Sequence, residues 1–99
     1  MKNTTDKLTD LPNIGPKAAR WLVAAGIRTP AELRRRGAVA AAAAIRRRRP
    51  DDPPCRSLLA GLEGTVRGIR WHAIPKAERD ALWRKYQAAI PRMGEAGKI

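Results

Sequence analysis

A turn-forming segment, residues 11–17 (LPNIGPK), directly precedes a pattern that is typical of a helix. Pro16 suits the first helical turn, because its missing N–H would find no partner there. The start of a helix offers unpaired backbone N–H groups and the positive end of the helix dipole, and both attract anions. Since Gly15 has no side chain, a phosphate can approach the N–H groups near Ile14, Gly15 and Lys17. The segment predicts a phosphate contact that does not depend on base sequence.

A purely structural role is the alternative for this segment. Helical adaptor folds use such a turn only to pack two helices, and a single copy binds nucleic acid weakly unless a second copy supports it. Residues 61–69 (GLEGTVRGI) lack the leading turn and the lysine, so no second copy is present. The residues alone leave both roles open.

Two arginine runs, Arg34–Arg36 and Arg46–Arg49, are the densest charge in the chain. Lysine and arginine number 21 against nine aspartate and glutamate residues, for a net charge of +12. Such a field attracts polyanions, and we expect nucleic acid first, an anionic membrane surface second and an acidic protein third. Each run also closes a predicted helix, where cations stabilise the negative end of the dipole. We predict nucleic-acid binding by Asn13, Ile14, Gly15, Lys17, Arg20, Arg34, Arg35, Arg36, Arg46, Arg47, Arg48 and Arg49.

The remaining polar residues form no catalytic or metal-binding pattern. His72 is the single histidine and Cys55 the single cysteine, so neither a metal-ligand set nor an intrachain disulfide is expected. Paired carboxylates, a nucleophile motif and a Walker-type loop are all missing from the sequence. Trp71 and Trp83 are expected in or near the core, whereas Trp21 is expected to be partly exposed. We therefore expect a protein that is not an enzyme and that has no cofactor.

Short helices are the elements that must position these residues. The predicted helical segments cover residues 6–10, 16–25, 30–36, 38–48, 55–67 and 75–89. Thr29, Pro30 and Glu32 form a capping box with proline in the first helical position, which marks one helix start clearly. Two glycines, Gly61 and Gly64, interrupt an apolar stripe and predict tight packing against another helix.

No pattern of alternating strand residues is present, so the chain is predicted to be one compact all-α domain of five to six short helices. We expect residues 1–5 to be disordered, 6–90 to form the helical domain, and 91–99 to form a flexible tail after Pro91 ends the last helix. The N-terminal residues are polar, and no apolar run approaches the roughly 20 residues of a membrane span. A cytoplasmic location without a membrane partner is expected.

Residues 11–27 (LPNIGPKAARWLVAAGI) resemble the helix-hairpin-helix motif, in which a glycine-containing hairpin and a basic residue precede a helix that ends in Gly-Ile. Asn13 replaces the first hairpin glycine, and asparagine is the residue that best tolerates positive φ after glycine. Together with residues 29–41 (TPAELRRRGAVAA) and 58–75 (LLAGLEGTVRGIRWHAIP), the segment resembles the C-terminal domain of the TfoX (Sxy) family of bacterial competence regulators. The resemblance implies a compact helix-hairpin-helix-like (SAM-like) domain that helps to regulate genes for DNA uptake together with transcription factors.

The expected function is a small, basic, non-enzymatic regulatory module that binds duplex DNA through phosphate contacts. By the resemblance, it is linked to the transcriptional regulation of competence and DNA uptake. The alternative is a protein–protein interaction adaptor for the transcription machinery, in which the hairpin is purely structural.

Overall fold

Five α-helices and one 3₁₀ turn make up the part of the chain that the computed structural model describes, namely Leu8, Leu11 and residues 13–98, with side chains up to Ile90. They are α1 (Pro16–Ala24), α2 (Pro30–Arg36), α3 (Ala38–Arg48), α4 (Arg56–Arg67), the 3₁₀ turn (Trp71–Ala73) and α5 (Lys76–Lys98). No strand occurs in this part, which confirms the all-α prediction. The segment 1–5 and most of the predicted turn 6–10 lie outside the described residues, although Leu8 is helical and fully buried.

The helix ends follow from local chemistry. The Thr29 hydroxyl accepts a hydrogen bond from the N–H of Glu32 (3.1 Å), so the predicted capping box starts α2. At the end of α1, Gly26 has φ +89°, and the N–H of Ile27 donates to the carbonyl of Leu22 (2.8 Å). This Schellman arrangement places Ile27 directly in the core, where it is fully buried.

Helix α3 lies at the centre of the fold and contacts each of the other four helices. Its alanine run explains this position, because methyl side chains let neighbouring helices approach closely. Ala42 and Ile45 face inward as predicted, whereas Val39 is only partly buried. The buried residues of α3 are Ala38, Ala41, Ala42, Ala43, Ala44 and Ile45.

The glycines of α4 are packed tightly, as predicted, but their partners are not another helix, which the sequence predicted. A Cβ at Gly64 would lie 2.7 Å from the carbonyl oxygen of Ile69 and 2.8 Å from Nδ2 of Asn13. A Cβ at Gly61 would lie 3.3 Å from the carbonyl oxygen of Asn13. The partners are therefore the turn before α1 and the chain after α4, both of which bring backbone atoms against the helix surface.

The sequence predicts that the last helix ends at Pro91. In the structure, α5 instead continues as far as Lys98. A proline inside a helix removes one backbone hydrogen bond and favours a kink, yet it does not force the chain to leave the helix. The tail predicted for residues 91–99 is therefore helical backbone up to Lys98, and Ile99 lies outside the described residues. Among the described side chains of α5, Leu82 and Tyr86 are buried.

Candidate nucleic-acid interface

The start of α1 is open to an anion. Gly15 is its N-cap residue, is exposed, and provides no side-chain hydrogen bond to the helix. Within the described residues, the N–H groups of Gly15, Lys17 and Ala18 have no hydrogen-bond partner. A Cβ built at Gly15 would meet no atom within 4 Å, so the space beside these groups is free. The backbone here has the form that binds phosphate in other helix starts.

Ile14 and Asn13 do not belong to this open surface. The Ile14 side chain is buried, and its N–H donates to the carbonyl of Leu11 (3.2 Å), so this donor is not free for the predicted phosphate contact. The Asn13 side chain donates from Nδ2 to the carbonyl of Ile69 (2.8 Å) and accepts from the N–H of Trp71 (3.2 Å). The structure therefore gives both predicted residues an internal role.

The structural reason for asparagine at position 13 also differs from the predicted one. No described non-glycine residue has positive φ, so Asn13 does not use its tolerance for that conformation. Its amide group instead joins the turn to the chain that follows α4. The turn before α1 remains consistent with the predicted helix-hairpin-helix motif, whose first helix lies largely outside the described residues.

Lys17 and Arg49 converge on the indole ring of Trp21. Nζ of Lys17 lies 5.0 Å from the ring centroid, and Cζ of Arg49 lies 4.7 Å from it. Both distances are within the range of cation–π attraction. Arg49 belongs to the second arginine run and follows the last residue of α3, so the half-buried Trp21 connects that run to the hairpin lysine.

The two arginine runs meet beside the end of α1. A shallow depression of about 310 Å³ is lined by Arg36, Arg47 and Arg48 together with Ala25 and Ala44. We use the name basic end for these three arginines together with Arg49, which follows Arg48 in the chain, and Lys17, which shares the ring of Trp21 with Arg49. It contains one residue of the hairpin helix, one of the first run and three of the second.

The other predicted residues lie in different places. Arg20 and Arg35 are exposed, and no described side chain bonds to either. Arg34 lines a small crease beside the hairpin, together with Leu11 and Ile69. Arg46 donates to the carbonyl of Pro50 and lines a groove with Tyr86, so it faces away from the basic end.

Ion pairs of the described residues are concentrated on α4 and α5. Arg67 bonds to Glu63 (2.7 Å) and to Glu78 (2.7 Å), and these bonds raise the pKa of its guanidinium. Asp80 bonds to Lys76 (2.8 Å) and to Arg56 (3.0 Å), and these bonds lower the pKa of its carboxyl. We call this surface the ion-paired side. In the basic end, the one ion pair within the described residues joins Arg49 to Asp52 (3.1 Å).

Sequence reasoning named Lys17 and the arginines as candidates but did not predict two contacts in this region, the one between Lys17 and Trp21 and the one made by Asn13. The spacing of Lys17 and Trp21, four residues apart on a helix, is a signal that could have indicated their contact. The bonds from Asn13 to residues 69 and 71 join positions 56 and 58 residues apart and leave no local signal.

None of the helices in the described part is long and apolar enough to cross a membrane.

Comparison with known proteins identifies the family. A model of the TfoX C-terminal domain matches residues 4–86 of this chain. The chain belongs to the TfoX C-terminal domain family. The matched range contains the hairpin, both arginine runs and α4, and it ends within α5. Membership indicates a competence-related regulatory domain and confirms the family resemblance.

Two solved structures share this TfoX C-terminal fold. They are an uncharacterised protein from Listeria monocytogenes in a triclinic crystal form and a protein of unknown function from Listeria monocytogenes in a tetragonal form. Each is 39% identical to this chain with a TM-score of 0.74, and the alignment covers 83% of this chain and 91% or 98% of theirs. A comparison with curated proteins gave no match.

Proposed function

We propose that this TfoX C-terminal domain is a non-enzymatic, cytoplasmic module that binds duplex DNA through phosphate contacts at the basic end. The observation that carries the proposal is the convergence of Lys17 and Arg49 on Trp21. It brings Arg49, the last residue of the second arginine run, to the same ring as Lys17, whose open N–H group belongs to the helix start. In this role the domain takes part in the transcriptional regulation of competence and DNA uptake.

The charge distribution supports binding of a polyanion at this surface. Lys17, Arg36, Arg47 and Arg48 form no ion pair with an acidic residue of the described part. Their field is therefore not cancelled locally, and phosphate groups would replace condensed counterions. A contact of this kind positions a protein on DNA without reading base edges, so we expect weak dependence on sequence.

The stacking on Trp21 supports the same proposal. A cation that rests on an aromatic ring has fewer conformations to lose when it binds phosphate. Lys17 and Arg49 are thus partly ordered before DNA arrives. Gly15 and Lys17 also supply backbone donors beside this pair, so a phosphate can receive a point charge and hydrogen bonds together.

The adaptor alternative rests on a different observation, the bonds from Asn13 to Ile69 and Trp71. They give the hairpin a structural role whether or not DNA binds. Under this alternative, duplex DNA would bind with no preference for the helix start, and function would reside on another surface.

A titration of the full chain with a duplex of about 20 base pairs, at several salt concentrations, tests the proposal. We expect log Kd to vary linearly with log salt, and DNA to shift the amide signals of Gly15, Lys17 and Ala18 and the indole signal of Trp21 in NMR spectra. A variant with Lys17→Gln and Arg48→Gln loses two phosphate contacts. Its affinity should fall by about 10- to 100-fold, and its salt slope should decrease by about 2.

The matched control removes the same charge elsewhere, with Arg70→Gln and Arg84→Gln, both at exposed positions. We expect its affinity to fall by less than about threefold. Equal losses in the two variants would mean general charge attraction and would contradict a site at the basic end. Absence of binding at low salt would overturn DNA binding altogether.

A further inference from the structure

A crevice between the starts of α4 and α5 has the chemistry of a second binding site. Its volume is about 160 Å³, and its lining includes Trp71, Trp83, Arg56, Lys76, Arg79 and Asp80. The floor is apolar, since Leu59 beneath it is buried. None of these residues belongs to the basic end. We call it the α4–α5 crevice.

Each tryptophan of the crevice has an arginine guanidinium over its ring. Cζ of Arg79 lies 5.6 Å from the ring centroid of Trp71, and Cζ of Arg56 lies 5.4 Å from that of Trp83. A guanidinium that stacks on an aromatic ring keeps its N–H edge free for a carboxylate, which it can bind with two parallel hydrogen bonds. The crevice thus combines apolar walls with oriented donors.

The rim already holds one carboxylate of the chain itself. Asp80 accepts hydrogen bonds from Lys76 and Arg56, so these two cations are engaged. Arg79 differs, because only its Nε is used, in a bond to the carbonyl of Ile74 (3.1 Å). Its two terminal nitrogens have no hydrogen-bond partner among the described residues. The terminal nitrogens of Arg79 can therefore bind one further carboxylate.

The size and lining of the crevice favour a peptide over a nucleic acid. Of its three cations, Lys76 and Arg56 are bonded to Asp80, and Arg79 alone has terminal nitrogens without a partner among the described residues. One acidic side chain flanked by apolar residues matches this lining, whereas a chain of phosphates requires a row of free cations. The small volume also accommodates one or two side chains rather than a folded surface.

We propose that the α4–α5 crevice binds an acidic peptide segment of a partner protein. One carboxylate of the segment pairs with the terminal nitrogens of Arg79, and a neighbouring apolar side chain lies between Trp71 and Trp83. This site is separate from the proposed DNA contact, so either can fail without the other.

NMR spectra of the full chain with two short peptides test the proposal. The probes are N-acetyl-Leu-Asp-Leu-amide and its counterpart N-acetyl-Leu-Asn-Leu-amide, which lacks only the charge. We expect the acidic peptide to shift the indole signals of Trp71 and Trp83, but not that of Trp21, with half-saturation on the order of 1 mM. The neutral peptide should bind about tenfold more weakly. Equal binding of both peptides, or no shift at Trp71 and Trp83, would overturn the proposal.

Two single variants and one control locate the carboxylate. Arg79→Gln should weaken the acidic peptide about tenfold, whereas Arg84→Gln, at an exposed position on the same helix, should leave it unchanged. Asp80→Asn frees Lys76 and Arg56 and should tighten the acidic peptide about threefold. A gain in affinity cannot arise from loss of folding, so Asp80→Asn remains decisive even where Arg79→Gln disturbs the turn at Ile74.

A third probe separates the peptide from a nucleic acid. An oligonucleotide of eight thymidines should shift Trp21 and leave Trp71 and Trp83 in place. Shifts of Trp71 and Trp83 at a lower concentration of oligonucleotide than of acidic peptide would assign the crevice to nucleic acid and overturn the proposal.

Discussion

The basic end and the ion-paired side both contain several cations, but the cations differ in their partners. On the ion-paired side, Arg67 and Asp80 each bond to two residues of opposite charge. In the basic end, the described part of the chain supplies one such partner, Asp52. The same residue type therefore links α4 to α5 on one surface and leaves a positive field on the other. Substitutions on α4 and α5 should change stability, whereas substitutions in the basic end should change binding.

The largest expected effect is on α4, where Gly64→Ala would test how closely backbone segments must approach. The new Cβ would lie 2.7 Å from a backbone oxygen, so the chain must shift. We expect a net loss of about 2 kcal/mol of unfolding free energy, after the gain of about 1 kcal/mol that alanine brings in a helix. The melting temperature should fall by roughly 10 °C in a calorimetric scan.

Gly61→Ala is the control for that variant, because its Cβ would lie at 3.3 Å, where a small adjustment suffices. We expect its stability to change by less than about 1 kcal/mol, since helix propensity offsets the tighter contact. A Gly64→Ala protein as stable as the parent would contradict the close approach.

The next largest effect concerns Asn13, which joins the hairpin to residues 69 and 71. Both Asn13→Ala and Asn13→Gly remove two hydrogen bonds, one exposed and one partly buried, at a cost of about 1 kcal/mol because water can replace the exposed partner. Denaturant unfolding of the two variants gives the measurement. If glycine restored the stability that alanine lost, backbone conformation rather than the amide group would explain asparagine at this position.

The smallest effect is the acid dependence of the ion-paired side. Hydrogen bonds from Lys76 and Arg56 hold the pKa of Asp80 below its ordinary value near 3.8. A lowered pKa in the folded state means that the contribution to stability is present above about pH 4 and is lost as the pH falls through the folded pKa. We expect the melting temperature of Asp80→Asn to fall less between pH 5 and pH 2.5 than that of the parent. Parallel curves would show that these bonds add nothing in solution.

Local signals in the sequence predicted much of the fold. The capping box at Thr29 and the glycine at position 26 act within one helical turn, so residue types and spacing were sufficient. The prediction that the last helix ends at Pro91 was wrong, because the free-energy cost of one proline in a helix can be offset by the helix-forming residues around it. Gly61 and Gly64 predicted tight packing, but against another helix. Their partners are the hairpin, which is distant in sequence, and, for Gly64, the chain that follows α4, and neither could be inferred from the pattern of the helix alone.

The candidate site was predictable as a set of residues but not as an arrangement. Lys17 follows from the hairpin, and the arginines follow from charge density. Their grouping depends on how α1 lies along the end of α3, which brings Arg49 to Trp21 and separates Arg46 from Arg47. Asn13 and Ile14 belong to the same motif as Lys17, yet their polar groups are used internally.

The buried alanines of α3 affect the entropy cost of binding at the arginines that end this helix. Alanine has no rotamers to lose, so packing of α3 against its neighbours costs no side-chain entropy at these positions. Arg47 and Arg48 extend from the end of this packed helix, and their exposed side chains keep their rotational freedom. A polyanion bound there would order side chains alone, at about 0.5–1.5 kcal/mol for each, and would require no folding of the backbone. The flexible side chains of Arg47 and Arg48 can therefore reach phosphate groups of varied spacing.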